Sequence, residues 1–197
     1  MDEYPRVPSV ADGDREADAD WPVLDIETVW ETPYFRAGYD LVERPDGERA
    51  EYYWVEPDDA VVVVALAGDE VVLVEQYRPR TRARTLGLPA GAVDSGERPA
   101  AAARRELREE PGYRAETVTH LETYAPSGWL RYVRHVFVAE SVRPGEQALD
   151  DGEFIDVSTV PADEAIETVS DRPGPTRGGA LTPLLLARDA GYLRPDG

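Results

Sequence analysis

Three glutamates within a short polar stretch of this chain are spaced so that they can act together. Glu106, Glu109 and Glu110 stand at i, i+3 and i+4, so a helix places all three on one face. Carboxylates that close repel one another unless a cation lies between them. Mg²⁺ takes hard oxygen ligands and shares them with substrate phosphates. The spacing is therefore one that would suit a site for Mg²⁺ or Mn²⁺.

The same stretch has a simpler interpretation. Arg104, Arg105 and Arg108 are interspersed with the glutamates, and a solvated helix with many salt bridges has this composition. For an arbitrary helix rich in Glu and Arg, we favour that interpretation by about three to one. The choice between the two depends on the longer segment that contains the glutamates.

That longer segment, Gly91–Tyr113, fills every fixed position of a known signature. It reads GAVDSGERPAAAARRELREEPGY and matches G-x5-E-x7-R-E-U-x-E-E-x-G-U, in which U is apolar or aromatic. This pattern resembles the signature of the Nudix hydrolases. A match of that length is far more specific than a lone glycine motif. Pro111 lies where the helix must end in any case.

The order of predicted elements agrees with the fold that this resemblance implies. Nudix domains are α+β folds, α/β/α sandwiches with a mixed β-sheet and the signature loop and helix on one face. Apolar patterns predict strands at 34–43, 48–56, 60–66, 71–77, 115–124, 132–139 and 154–160, and helices near 162–169 and 179–190. The arginine-rich stretch 78–87 is predicted to be a polar loop.

We divide the chain into three parts. Residues 1–20 are acidic and aperiodic, which is typical of a disordered tail. Residues 21–57 are predicted to form an N-terminal β-hairpin extension around the turn at Arg44–Gly47. Residues 58–197 are the Nudix hydrolase domain.

The resemblance implies metal ligands and a mechanism. Glu106 and Glu110 are the first choice as ligands, together with the backbone carbonyl of Ala90. Glu109 binds or bridges a second ion and so belongs to the catalytic set. Divalent ions of this kind neutralise charge on a diphosphate and lower the pKa of a bound water.

Four further residues of the signature are expected to support the site. Glu97 is expected to pair with Arg105 and so to tie the loop to the helix, an interpretation that we favour over direct metal binding by about two to one. Gly91 and Gly112 occupy the two fixed glycine positions of the pattern.

Segments outside the signature resemble the ADP-ribose pyrophosphatase branch of the family. They are Glu75–Arg78 followed by Leu88–Gly91, the hairpin with its Pro-Asp-Gly turn, and Asp151–Val157. Two positions depart from that branch. Gly87 replaces the usual acidic residue before Leu-Pro-Ala-Gly, and the proline associated with ADP-ribose specificity is displaced to Pro126. These departures leave open the group that is linked to the nucleoside diphosphate.

Two candidate residues would act on the diphosphate and the attacking water. By resemblance, Glu153 is the general base, although an exposed loop carboxylate beside Asp150 and Asp151 is an alternative. Arg78 is the expected diphosphate contact, because its planar fork matches phosphate oxygens. Three other arginines could also contact the diphosphate, or could be exposed loop residues without a role in binding: Arg80, Arg82 and Arg84.

Aromatic residues of the extension are the candidates for stacking on the base. By resemblance, one of Tyr34 or Phe35 and one of Tyr52 or Tyr53 would contact adenine, across the interface of a swapped homodimer. Neighbours in an alternating strand point to opposite faces, so only one of each pair can reach the site. Core packing explains any single one of them at least as well.

Composition argues against several other classes of protein. The 197 residues carry a formal charge of -19, and all 21 basic residues are Arg. Nucleic-acid binding is therefore disfavoured. The excess of acidic over basic residues is typical of proteins from a salt-rich cytoplasm. There is no Cys, and the longest apolar run, Ala60–Ala67, is too short for a membrane span. We assign no role to His120 or His135.

The function predicted from the sequence is Mg²⁺-dependent hydrolysis of ADP-ribose to AMP and ribose 5-phosphate by a cytoplasmic homodimer. One alternative keeps the chemistry but changes the substrate to another nucleotide sugar or a dinucleotide. A second alternative is a non-catalytic nucleotide sensor. The carboxylate cluster argues against the sensor, because a pure binder has no need of three repelling charges.

Overall fold

The structure is a computed structural model that describes residues 20–172 and 178–193. The chain divides into two compact units. Unit 1 contains the chain up to Asp59 and the segment Thr123–Arg134, and unit 2 contains Ala60–Glu122 and the chain from His135 onward. The tail predicted at residues 1–20 lies outside the described residues, except for Asp20.

Unit 1 is built on an antiparallel sheet with the order β1-β2-β3. Its strands are β1 (Val23–Glu31), β2 (Phe35–Glu43) and β3 (Arg49–Pro57). The turn predicted between β2 and β3 is present, with the N–H of Gly47 donating to the carbonyl of Arg44 at 2.9 Å. The hairpin prediction was incomplete, because β1 adds a third strand. That strand has two register shifts along its pairing with β2 and exposes most of its residues, which hides the usual alternation.

A buried charge joins the second segment of unit 1 to this sheet. Residues Trp129–Arg131 run beside β3, where the N–H of Arg131 donates to the carbonyl of Val55 at 2.9 Å. The Arg131 guanidinium pairs with Asp40 and lies 4.7 Å from the centroid of the Trp54 ring. Asp40 also accepts a hydrogen bond from Trp54 Nε1 at 2.9 Å. The carboxylate is therefore paired and hydrogen-bonded, as burial of a charge requires.

In the part of the chain that the structure describes, unit 2 contains a seven-stranded sheet and three helices. The path through the sheet is β12-β5-β4-β10-β9, with β6 added to β5 and β7 added to β4. The strands are β4 (Ala60–Ala67), β5 (Glu70–Arg78), β6 (Ala83–Gly87), β7 (Ala90–Ala92), β9 (Thr119–Tyr124, which ends in unit 1), β10 (Arg134–Ala139) and β12 (Ile155–Pro161), while β8 (Tyr113–Arg114) pairs separately with β11 (Arg143–Pro144). The helices are α1 (Pro99–Glu109), α2 (Ala165–Asp171) and α3 (Gly178–Asp189).

Helices cover both faces of this sheet, as predicted. Side chains of Val62, Val64 and Leu66 in β4 belong to one core cluster with buried residues of α2 and α3, including Leu184. The alternate residues of β4 point to the other face, and α1 packs on β4 and β7. Because both faces are covered, every residue from Val61 to Leu66 is buried.

The prediction of a polar loop at 78–87 was wrong for residues 83–87. Strand β6 occupies Ala83–Gly87 and pairs with β5 through Arg78↔Ala83 to Val74↔Gly87. The arginines and threonine in this stretch hid a strand that has only one well-buried side chain, Leu86.

Among the described residues, no helix has the length and apolar character needed to cross a bilayer.

Candidate active site

The buried side of α1 carries two glutamates among small and apolar residues. Glu106 is buried beside Leu107, and Glu110, the residue at which the helix ends, retains only 4% of its exposure. The N–H of Ala90 donates to Glu110 Oε2 at 2.8 Å. The structure thus joins Ala90 to Glu110 through its amide, whereas the sequence analysis assigned a role to its carbonyl.

Burial makes charge on these two carboxylates costly. It raises the pKa of Glu110 to about 8, an effect that the hydrogen bond from Ala90 partly opposes and the charge of Glu106 reinforces. Burial also raises the pKa of Glu106, against the effect of Arg105. A site that must hold two ionised carboxylates out of water needs a cation to compensate for their charge.

Arg105 is the centre of a hydrogen-bond network at the surface of α1. Its Nε and Nη2 contact the two carboxylate oxygens of Glu97 at 3.2 and 2.9 Å, so the pair predicted from the sequence is present. Nη2 also donates to the carbonyl of Ala92 at 2.8 Å. Nη1 donates to Glu106 Oε1 at 2.6 Å and to Glu109 Oε2 at 3.3 Å. These bonds raise the pKa of Arg105 and lower that of Glu97.

Glu109 lies on the same side of α1 as Glu106 but is less buried. Besides Arg105 it contacts the guanidinium of Arg108. Two cations therefore contact Glu109, whereas the Glu110 carboxylate accepts a hydrogen bond from a backbone amide and has its pKa lowered by the charge of Arg78. The three glutamates, although close in sequence, lie in different electrostatic environments.

The two glycines of the signature are required by close contacts. A Cβ atom added to Gly91 would lie 2.1 Å from Glu106 Oε1. A Cβ atom added to Gly112 would lie 2.8 Å from the backbone nitrogen of Gln147, and Gly112 also has a φ of +75°. Any side chain at Gly91 would displace the carboxylate, and any at Gly112 would strain the end of the helix.

Glu153 and Arg78 act electrostatically on the buried carboxylates. Glu153 is exposed, and its Oε2 accepts a hydrogen bond from the N–H of Asp150 at 3.3 Å. The charge of Glu153 contributes to the raised pKa of both Glu106 and Glu110. The charge of Arg78 has the opposite effect on Glu110. Both predicted residues therefore affect the pKa of Glu110.

The alternative phosphate-binding arginines differ in their partners. Arg84 bridges Glu75, at 3.2 Å, and Asp156 across neighbouring strands. Arg82 has a φ of 52°, a left-handed conformation, in the turn between β5 and β6. Arg84 already has two partners, so it is a poorer candidate than Arg78.

The candidate aromatics all lie in unit 1. Phe35 packs edge-on against Trp30, and Tyr52 packs edge-on against Trp21. Tyr53 lies 5.5 Å from Tyr39, centroid to centroid. The most exposed members of the two predicted pairs are Tyr34 and Tyr53, at 72% and 61%.

The residues of unit 2 fit a hard divalent cation. Across the ranges 20–172 and 178–193, no three Asp, Glu or His side chains converge on one point. Arg105 holds an oxygen of both Glu106 and Glu109, and the amide of Ala90 holds one of Glu110. The donor set nevertheless consists of carboxylate oxygens, which Mg²⁺ and Mn²⁺ prefer. Two of its members are buried where uncompensated charge is costly.

Gln147 is a residue of this site that the sequence analysis missed. Its Nε2 donates to the carbonyl of Glu110 at 2.7 Å and lies 3.5 Å from the carbonyl of Ile155. The N–H of Ala148 donates to the carbonyl of Glu109 at 3.1 Å. The segment before β12 is thereby attached to the end of α1. An aperiodic loop gave no signal for this link.

We expect Glu110→Gln to stabilise the protein in the presence of a chelator at pH 8. The folded-state pKa of about 8 lies above the ordinary value of 4.5, so the folded state binds this proton more tightly than the unfolded state. The stability associated with that proton is present below pH 4.5 and is lost as the pH rises through 8. Removing the buried charge should raise the free energy of unfolding by about 1–3 kcal/mol at pH 8, with little change near pH 5.

Denaturant unfolding at constant molar KCl measures this difference. The exposed Glu116 provides a control, because Glu116→Gln should have no effect at either pH. An equal difference for Glu110→Gln at pH 5 and pH 8 would contradict the proposed cost of ionising this carboxylate.

Comparisons with known proteins identify the family of this chain. A NUDIX domain model matches residues 56–178. The chain is 35% identical over 153 residues to the methanol dehydrogenase activator of Bacillus methanolicus, covering 76% of this chain and 83% of that protein. It is 34% identical over 135 residues to the ADP-ribose pyrophosphatase of Bacillus subtilis, covering 66% and 73%.

A solved structure shows the same fold. The crystal structure of an ADP compounds hydrolase superposes with a TM-score of 0.78 at 24% identity, over 90% of this chain and 99% of that one. The predicted α+β fold and the predicted family are both confirmed. Because the domain model spans more than half of its length, the chain belongs to the Nudix hydrolase family.

Proposed function

We propose that this protein hydrolyses the diphosphate of ADP-ribose to AMP and ribose 5-phosphate, with Mg²⁺ or Mn²⁺ and more than one ion. The observation that carries the proposal is the buried pair Glu106 and Glu110, which lies beside Glu109 and within the electrostatic influence of Glu153 and Arg78. The similarity to the Bacillus subtilis ADP-ribose pyrophosphatase supports this choice of substrate.

The metal ligands in this proposal are carboxylates of α1 and one backbone group. Glu106, Glu110 and the carbonyl of Ala90 would hold one ion, and Glu109 would hold or bridge a second. Bound divalent ions neutralise charge on a diphosphate and lower the pKa of a water. Arg105 holds Glu106 and Glu109 in place through its Nη1 and is in turn held by Glu97.

The remaining steps belong to the protein's own side chains. Arg78 donates hydrogen bonds to diphosphate oxygens and orients the substrate. Glu153 accepts the proton of the attacking water as the oxygen–phosphorus bond forms. The bond from that phosphorus to the bridging oxygen then breaks, leaving one phosphate on each product.

The aromatic residues of unit 1 complete the proposal. Tyr34 and Tyr53 stack on the base, since they are the more exposed members of their pairs, while Phe35 and Tyr52 pack within the unit. The protein acts as a homodimer in a salt-rich cytoplasm. Exposed apolar side chains on β1, Val29 at 65% and Trp30 at 60%, supply a surface for the second chain.

Product analysis with ADP-ribose, Mg²⁺ and molar KCl tests the activity. We expect AMP and ribose 5-phosphate in equal amounts. Glu110→Gln should lower kcat by about 100-fold or more, because it removes a metal ligand, whereas Glu116→Gln should not change it. Turnover of another nucleotide sugar or a dinucleotide, but not of ADP-ribose, would overturn the substrate. Full activity in Glu110→Gln would overturn the metal site.

A pair of glycine substitutions tests the contact at Glu106 without changing any charge. Gly91→Ala places a methyl group on the Glu106 carboxylate, so we expect kcat to fall by about 10- to 100-fold with the fold retained. Gly178→Ala is the matched control, because a Cβ atom there also meets nothing within 4 Å. Equal activity of the two variants in the same assay would show that the position of Glu106 is unimportant.

Sedimentation equilibrium in molar KCl tests the homodimer. We expect the wild type to have twice the mass of one chain. Trp30→Asp should shift it toward the monomer, because a charge on an apolar interface must be desolvated. Thr119→Asp, at an exposed position of β9, should have no effect. A monomeric wild type would rule out the dimer.

A further inference from the structure

Strand β12 is shorter than the neighbour with which it pairs. Its register begins with Ile155↔Gln76, whereas β5 continues through Tyr77 to Arg78 and pairs there with β6 on its other edge. An antiparallel ladder extended by two residues would place Phe154 opposite Tyr77 and Glu153 opposite Arg78. The backbone of β5 is already extended to receive them.

The residues at these two positions suit such an extension. Phe154, the residue before β12, is 82% exposed, and Tyr77 in β5 is 53% exposed, so two large aromatic side chains lie open to solvent here. Directly opposed residues bring their Cβ atoms to about 4.5–5.5 Å, so the two rings would pack together. Because side chains alternate along a strand, Glu153 would then point to the face that carries Arg78.

The loop that holds Glu153 is attached to other elements at both ends, and its central turn bonds only within itself in the contacts described below. At one end Ala148 and Gln147 bind the last carbonyls of α1, and at the other Ile155 is paired with β5. Between them, a turn closes on itself, with the N–H of Glu153 donating to the carbonyl of Asp150 at 3.1 Å. The Glu153 carboxylate accepts the N–H of Asp150 and is thus held by its own turn.

We propose that Tyr77 and Phe154 are positioning residues for Glu153. On substrate binding, β12 lengthens by two residues, Phe154 packs on Tyr77, and Glu153 leaves Asp150 to lie opposite Arg78. This inference rests on the proposed function, since it takes Glu153 to be the base. Negative charge on Glu106 and Glu110 opposes the approach of Glu153, and a cation held by those two residues removes the repulsion.

A double-mutant cycle on kcat for ADP-ribose tests the pairing. We expect Phe154→Ala and Tyr77→Ala each to lower kcat by about tenfold with KM within about twofold, and the double variant to be no slower than either. Phe154→Tyr should restore most of the rate, because an aromatic ring is retained. Leu185→Ala, which trims a partly exposed side chain of α3, is the control. Independent, multiplying effects, or a Phe154→Ala variant as active as the control, would overturn the proposal.

Hydrogen–deuterium exchange provides a test that does not depend on turnover. With Mg²⁺ and α,β-methylene ADP-ribose, the amides of residues 150–155 should exchange more slowly in the wild type but not in Phe154→Ala. If the wild type hydrolyses another nucleotide sugar or a dinucleotide instead of ADP-ribose, the proposed substrate is wrong, and the exchange measured with the α,β-methylene analogue of that substrate decides this inference. Protection that depends on Phe154 supports the lengthening of β12, and unchanged exchange in the wild type overturns it.

Discussion

Two carboxylates, Glu106 and Glu110, lie on the buried side of α1, and their charge is the constraint around which the rest of the site is arranged. Burial disfavours the ionised form of each side chain relative to the neutral acid, and the pKa of both is raised for this reason. The surroundings oppose that tendency only partly, with the fork of Arg105 on Glu106 and a single amide on Glu110. The fold thus holds negative charge that it does not fully neutralise, and this is the property that a cation-dependent site requires.

The geometry that holds this charge comes from several separate pieces of chain. Short strand β7 supplies the Ala90 amide and the bare backbone of Gly91, against which the Glu106 carboxylate lies. Gln147 joins the end of α1 to the start of β12. Displacement of any one of these segments would move one carboxylate relative to the others. The packing of β7 and of the Gln147 loop against α1 therefore determines where the carboxylates lie.

Much of this arrangement could be predicted from the sequence, because it depends on residues that are neighbours along the chain. The pairing of Glu97 with Arg105 and the helical spacing of Glu106, Glu109 and Glu110 depend on residues close together in the chain. The continuous apolar run of β4 likewise indicated a buried central strand. Resemblance to a known signature added roles that spacing alone leaves open, including that of Glu153.

Features that depend on distant partners could not be predicted. Strand β1 is exposed and irregular, and β6 buries only Leu86 well, so neither shows a clear period. The bonds of Gln147 follow from where its loop crosses α1, and no composition signal marks them. The additional contacts of Arg105 with Glu106 and Glu109 depend on the orientation of one guanidinium among the acceptor groups of four residues.

The attachment of Trp129–Arg131 to β3 has a consequence for how this protein can be divided or recombined. The extension, predicted at residues 21–57, is completed by a segment that lies far along the chain. A cut at residue 58 would leave Arg131 without Asp40 and the ring of Trp54, and it would bare the backbone groups that now bond to Val55. A graft of residues 21–57 onto another domain would therefore have to include Trp129–Arg131, because the folded unit is discontinuous along the chain.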